Sequence, residues 1–248
     1  MNTPVSQQAA GREEASFDGF ASNYDQALDR GLRFTGEGKD YFVRGRVNWL
    51  RQRLEALDSQ PRTCFDFGCG IGSGCDSLVA EFKAREYLGY DPSIESIKQA
   101  RQFAKKPVIR FESDESAIPQ AFFDLAFTNG VFHHIPPSER RKCVSTVWRA
   151  LKPGGWFAFW ENNRWNPLVH FLMSRVPFDL DAEMLFPHQA RRLLVGEGFD
   201  VVCTDYMFIF PAKLKNLRPL ESMLCKLPFG GQYMILARKP VRAVKPTS

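Results

Sequence analysis

The sequence predicts an α/β fold, a seven-stranded and mostly parallel sheet with helices on both faces, and three observations predict it. Short apolar runs alternate with helical segments, a glycine-rich loop lies between the first run and the helix after it, and an aspartate closes the second run.

The alternation reads in order as TCFDF then CDSLVAEFKA, EYLGYD then IESIKQARQFA, PVIRFES then a loop, FDLAFTN then SERRKCVSTVWRALK, and finally WFAFWE. Strands alternating with helices over such lengths imply βαβ units and therefore a parallel sheet. Two later runs, VVCTDYMFIF and QYMILAR, suit an edge finished by a hairpin-like pair. Ahead of the first strand, residues 39–58 carry Tyr41, Phe42, Val47, Leu50, Leu54 and Leu57 at roughly helical spacing, which predicts an amphipathic helix. Lys152-Pro153-Gly154-Gly155 stops a helix and turns into the next strand, because proline cannot extend the helix and glycine tolerates positive φ. After Glu161 the rhythm changes. A stretch rich in Trp, Pro, Phe and Met (162–186) precedes a helix near 188–196, and a second insertion (211–229) separates the last two strands.

At 248 residues, 44% apolar and 13% aromatic, the chain can bury one sizeable core. The expected organisation is a disordered leader over 1–15, one domain over 16–240 with lid insertions at 162–186 and 211–229, and a basic tail over 241–248. The net charge of +5 is scattered, except for Arg238, Lys239, Arg242 and Lys245, and is too diffuse to argue for nucleic acid. Six cysteines form no C-x-x-C pair and the histidines show no zinc spacing, so no metal site is expected and reduced thiols in a cytoplasm are the simplest expectation. No apolar h-region opens the chain, and no apolar run approaches the roughly 20 residues of a membrane span. A soluble protein is expected, with contact to a membrane surface left open.

The chemistry concentrates in Asp66-Phe67-Gly68-Cys69-Gly70-Ile71-Gly72-Ser73-Gly74, between strand and helix. Glycines let a backbone approach a ligand closely, and the helix start adds unpaired N–H groups and a positive dipole end. A dinucleotide-binding loop wants glycines at relative positions 1, 3 and 6, which from Gly68 gives Gly68, Gly70 and Ser73, so the third glycine is absent. Asp66 suits a cationic amino-acid moiety and would repel a pyrophosphate, although a turn-forming aspartate is the bland alternative. Asp91 falls where such sheets present a carboxylate to ribose hydroxyls, which indicates a nucleoside without saying which one.

These residues resemble the class I S-adenosylmethionine (SAM)-dependent methyltransferases, especially their broad small-molecule group. The resemblance runs from Phe17 to Glu161: FDGFASNYD at 17–25 looks like the F-D-x-x-A-x-x-Y-D lid, DFGCGIG like the cofactor loop, and GYDPSIESIKQAR like the second strand and helix. SDESAIP looks like the D-A-x-x-L-P stretch, and NGVFHHI and LKPGGWFAFWE like the fourth and fifth strand regions. The resemblance implies a Rossmann-like sheet and SAM as cofactor. Asp66, Gly68, Cys69, Gly70 and Gly72 would hold the methionine end, Asp91 and Pro92 would meet the ribose, Ile94 would pack on the adenine, and Asp114 with Glu115 would reach the adenine amino group. Glu115 departs from the small residue common there. Asn129 would offer a backbone carbonyl to the methionine ammonium. Tyr24 would close over the cofactor or anchor the leader, and Arg46 would reach the methionine carboxylate or, more simply, lie on a solvated helix face.

The nucleophile, methyl and sulfur must be aligned, and a proton removed where the nucleophile carries one. His133 and His134 follow the fourth strand and Glu161 ends the fifth, at the rim where α/β sites form. His134 leads as proton acceptor and Glu161 would orient substrate or act as base; loop packing is the alternative for all three. Beyond Glu161, Trp165, Phe171, Met173, Phe178, Met184, Phe186, Phe208 and Phe210 stand beside Arg164, Arg175, Lys213 and Lys215. A hydrophobic lid edged with cations suits a phosphate-bearing or lipid- or glycan-linked acceptor, against simple packing of the lid on the sheet. The expected activity is methyl transfer to a small-molecule or lipid/glycan-linked acceptor. A nucleic-acid methyltransferase is disfavoured because Asn129-Gly130-Val131-Phe132 replaces [DN]-P-P-[YF], and a non-catalytic SAM-binding protein because no cofactor motif is damaged.

Overall fold

The computed structural model describes residues 35–174 and 182–241. The leader, the 17–25 motif with Tyr24, Arg175, Phe178 and the tail from residue 242 lie outside the described residues.

The five apolar runs form β1 (Thr63–Phe67), β2 (Glu86–Tyr90), β3 (Ile109–Glu112), β4 (Phe123–Asn129) and β5 (Leu151–Asn162), and the two later ones β6 (Asp200–Met207) and β7 (Gln232–Arg238). Together they make one sheet in the order β3-β2-β1-β4-β5-β7-β6. The first five strands run parallel, and β7 lies antiparallel to both β5 and β6. The expected terminal pair is therefore present, with β7 inserted beside β5 and β6 left at the edge.

Period-two alternation sends side chains to two cores. On one face Cys64, Tyr87, Phe111, Leu125, Trp156 and Trp160 meet helices α1 (Lys39–Glu55), α2 (Cys75–Phe82) and α3 (Ile94–Phe103) through residues such as Leu50, Leu78 and Ile97. On the other, Phe65, Phe67, Phe123, Phe157 and Phe159 meet α4 (Arg140–Ala150) through Val144 and Val147, and α6 (Pro187–Glu197) through Ala190 and Leu194. Each fully buried Leu or Phe contributes about 1.5–3 kcal/mol over an exposed one, so two such layers dominate the stability of the sheet.

Three boundaries differ from expectation for local reasons. α1 stops at Glu55, and Asp58 takes a left-handed φ of 50° before the chain turns toward β1. α4 ends at Ala150, ahead of Lys152-Pro153-Gly154-Gly155, and the chain is already extended at Leu151, so β5 runs through the motif; a Cβ on Gly155 would stand 2.9 Å from the Lys152 carbonyl oxygen. β6 ends at Met207 because Phe208 adopts φ 63° and leaves the strand, a conformation costing of order 1–3 kcal/mol. Its ring packs against Tyr41, Phe42 and Trp160 at 5.9, 5.0 and 6.4 Å between centroids. It fits there because α1 carries Gly45, where a Cβ would stand 2.7 Å from the ring.

The segments expected as lids hold α5 (Pro167–Met173) and, before β7, a 3-10 helix over Ala212–Leu220 followed by α7 (Glu221–Leu224). Among the described residues no helix is long and apolar enough to cross a membrane.

Candidate active site

Strand order reverses between β1 and β4, and open α/β sheets hold ligands at such a crevice, outside the carboxyl ends of the strands. The glycine loop leaves β1 at this point. Gly68 and Cys69 donate their amides to the Tyr90 carbonyl at 2.8 and 3.0 Å, which pins the loop to the end of β2. Gly68, Gly70 and Gly72 have φ of 74°, 53° and 78°, conformations that L side chains rarely adopt. A Cβ on Gly68 would also strike Val131 at 2.4 Å, whereas one on Gly70 would meet nothing within 4 Å. Gly70 therefore borders open space. Cys69 tucks its sulfur toward Gly89, and burial raises its thiol pKa well above normal, so it presents backbone to the crevice.

The carboxylates divide by environment. Asp66 is buried and receives the Tyr87 hydroxyl at 2.7 Å, and burial above all pushes its pKa up to about 7, with Tyr87 and Arg46 opposing the rise. Asp91 accepts from the Gly70 amide at 2.9 Å and from the Ser93 amide at 3.0 Å, so one carboxylate ties the glycine loop to the start of α3. Pro92 is exposed beside it, and Ile94, the first residue of α3, leaves 57% of its surface uncovered. Asp114 is exposed and accepts from the Ser116 amide and hydroxyl at 2.8 and 2.6 Å, bonds that lower its pKa. Glu115 points elsewhere: its Oε1 accepts from Thr146 at 2.6 Å and Arg149 at 3.0 Å, both on α4. That departs from a carboxylate aimed at adenine, and the backbone of Glu115 is what remains near the Asp114 turn.

At the rim Glu161 is fully buried, and its two oxygens serve the loop after β4. Oε1 accepts the Phe132 amide at 2.7 Å and Oε2 lies 2.6 Å from His133 Nδ1. His133 is buried and lines the neighbouring cavity, as does His134. The two histidine rings are 4.1 Å apart, and burial with the neighbouring His133 pushes the His134 pKa down to about 2.

A cavity of about 220 Å³ opens beside this rim. It is lined by Asn129 at the end of β4 and Gly130 just after it, by Tyr41 and Phe42 from α1, and by Leu168 and Leu172 from α5. Arg46 also lines it, so the expectation of a solvated helix face is corrected: Arg46 is buried, and Nη1 donates to Gln232 Oε1 on β7 at 2.9 Å. Position alone on α1 hid this, since the charge is covered by a strand 186 residues away. Asn129 Oδ1 is buried and has no hydrogen-bond partner among the described residues. Tyr87, Gln232 and Asn162 are site residues that the sequence reading missed. For Tyr87 a signal existed: it pairs with Cys64, two residues before Asp66 on β1, and so shares a sheet face with Asp66.

Residues 65–159 match the protein family described as Methyltransferase domain. Among curated proteins, a trans-aconitate 2-methyltransferase of Rhodopseudomonas palustris is 30% identical over 120 residues, 48% of this chain and 45% of that protein. A carboxy-S-adenosyl-L-methionine synthase of Erwinia tasmaniensis is 28% identical over 116 residues, 44% of this chain and 46% of its own length. The chain thus spans about half the length of the curated relatives it matches. Among solved structures, a SAM-dependent methyltransferase of Mesorhizobium loti superposes with a TM-score of 0.56 at 22% identity, covering 79% of this chain and 99% of that one. A Haloferax volcanii methyltransferase solved in complex with its activator Trm112 gives 0.60 at 19% identity, over 90% and 97%. At such identities the structural likeness is one of fold. The matched segment is that of a methyltransferase domain, and the fold is one that SAM-dependent methyltransferases share.

The residues present fit SAM. Positive-φ glycines border open space at Gly70, a carboxyl poised near neutrality and an orphaned amide oxygen offer acceptors to an ammonium, and an exposed isoleucine flanks the loop. An unsatisfied buried acceptor such as Asn129 Oδ1 costs about 1–3 kcal/mol, a cost that a cationic ligand would remove.

Proposed function

We propose that this chain transfers a methyl group from SAM to a small acceptor with an apolar body and an anionic or hydrogen-bonding end, bound in the cavity beside the glycine loop. The observation that carries this is the make-up of that cavity. Aromatic and aliphatic side chains such as Tyr41, Phe42, Leu168, Leu172 and Phe208 line it, together with the hydrogen-bonded pair Arg46 and Gln232. Relatives named for methylating trans-aconitate support a small-molecule acceptor. A lipid- or glycan-linked acceptor is the second candidate, favoured by Leu168, which lines the cavity while half its surface stays exposed.

When bound, SAM supplies a methyl group on a sulfonium that leaves as a neutral thioether. Asp66, the glycine loop, Asp91, Pro92, Ile94 and Asp114 would hold the cofactor, with Asn129 Oδ1 and Asp66 accepting from the ammonium. His133, rather than His134, is the better proton acceptor. With Nδ1–H donated to Glu161, the His133 lone pair lies on Nε2, and the buried carboxylate steadies the imidazolium formed on protonation. His134 binds protons too weakly to compete, because burial holds its pKa near 2. Glu161 acts through His133 and the Phe132 amide, as a positioning residue.

Incubating the purified protein with radiolabelled SAM and fractionated cell extract tests the activity. Label is expected in a small-molecule or lipid fraction. Label confined to nucleic acid, or none despite SAM binding by calorimetry, would overturn the proposal in favour of a nucleic-acid enzyme or a SAM-binding protein without catalysis.

A further inference from the structure

We propose that the insertion between β6 and β7, residues 211–229, seats the protein on an anionic lipid surface beside the mouth of the acceptor cavity. The 3-10 geometry over Ala212–Leu220 carries the first part. With three residues per turn, side chains three apart stand in one row, so Leu217 and Leu220 align; Leu214 stands at a kink before them (φ −111°, ψ 24°) and Met223 on α7 just after them. All four are exposed, by 47% at Leu214, 41% at Leu217, 44% at Leu220 and 79% at Met223. An apolar row of this kind on the outer side of a lid is surface that water does not favour.

Charge selects the occupant. The insertion holds Lys213, Lys215, Arg218 and Lys226 against one acid, Glu221. Glu221 is buried and accepts the Ile209 and Phe210 amides, so it faces inward. Arg218 is committed to Glu37 at 2.7 Å and to the Tyr41 ring, and Lys226 to Asp205. Lys213 and Lys215 flank the apolar row, are exposed, and make no ion pair among the described residues. Exposed leucines bracketed by uncommitted lysines match acyl chains beneath anionic headgroups.

The surface is continuous with the cavity. Phe210 and Pro211, which lead into the insertion, line the cavity, and so does Leu168 of α5. Asn166, the cap of α5, donates Nδ2 to the carbonyl of exposed Phe229 at 2.9 Å, which joins the two lids at the same edge. The proposal stands whichever acceptor is methylated.

Co-sedimentation of the full chain with phosphatidylcholine vesicles, with and without phosphatidylglycerol, tests it. Binding is expected only to the mixed vesicles and should fall as salt rises. Leu217→Asp/Met223→Asp and Lys213→Glu/Lys215→Glu should each weaken it by roughly tenfold or more, with SAM affinity unchanged. Single Met223→Asp, at the most exposed position of the row, replaces the double variant if that one fails to fold. Equal binding by the variants, equal binding to phosphatidylcholine alone, or no vesicle binding would overturn the proposal. So would self-association in solution that the same variants abolish, which would assign the surface to a second copy of the chain.

Discussion

The two sides of the candidate site are built on different plans. The proposed cofactor side, from β1 to the end of β4, uses backbone and short acidic side chains drawn from one continuous stretch, residues 66–129. The proposed acceptor side takes side chains from α1, α5, the turn after β6 and the start of β7, among them Arg46 and Gln232, 186 residues apart. A backbone-built site specifies one ligand through geometry that few sequences support, while a side-chain-built site changes whenever any of four elements changes. The contrast accords with the matched methyltransferase domain, which covers residues 65–159 and stops before both lids.

The sharpest break in that contrast would come at the rim where the two sides meet. His133→Asn keeps a donor toward Glu161 but cannot take a proton, so turnover with an identified acceptor should fall by about 10²- to 10⁴-fold while SAM affinity holds. His134→Ala should do much less. If the two variants exchange these outcomes in steady-state kinetics, the proton acceptor is His134 after all.

On the cofactor side, Asp91→Ala removes the carboxylate that joins Gly70 to α3, and calorimetry should report SAM binding weakened by about 1.5–3 kcal/mol in a folded protein. Unchanged affinity would remove Asp91 from the site. Asp66 should make SAM binding depend on pH. Its carboxyl holds a proton up to about pH 7 in the free protein, and an incoming ammonium favours the ionised form. Affinity should therefore drop by up to about tenfold per unit as pH falls below 7, with proton release on binding. Asp66→Asn should flatten this dependence and weaken binding most above pH 7, with the two proteins converging as pH falls.

The smallest effect is on stability, and its sign follows from the same shift. Between the ordinary carboxyl value of 3.8 and about 7, the folded protein keeps a proton that the unfolded chain has released. The stability carried by that proton is present in full below the lower value and is lost as pH rises through the upper one. Asp66→Asn should raise the melting temperature of the ligand-free protein at about pH 8 and leave it nearly unchanged at about pH 4. A loss of stability at both would mean that Tyr87 and Asp66 brace the sheet in the ionised state.

The two plans also explain what the sequence disclosed. All seven strands and the glycine loop were legible, because strand parity, turn glycines and the spacing of Asp66 and Asp91 are local signals. Arg46 was not, since a charged residue on an amphipathic helix looks solvated until Gln232 and the cavity are placed around it. From the sequence Glu161 is a group that orients substrate or acts as base, and only the fold reveals that its two oxygens meet Phe132 and His133. The left-handed backbone at Phe208 carries no local signal, because phenylalanine has no preference for it and the stabilising contacts lie on α1.

That last residue has a consequence for how the acceptor range could drift. Phe208 lines the cavity, yet its position is set from behind by the missing Cβ of Gly45. A single methyl group at residue 45 would have to displace the ring, which also packs against Tyr41 and Phe42. Gly45 does not itself line the cavity among the described residues, but it works as a gauge for cavity size: a lineage could retune its substrate by changing a helix residue while every wall-forming side chain stays the same.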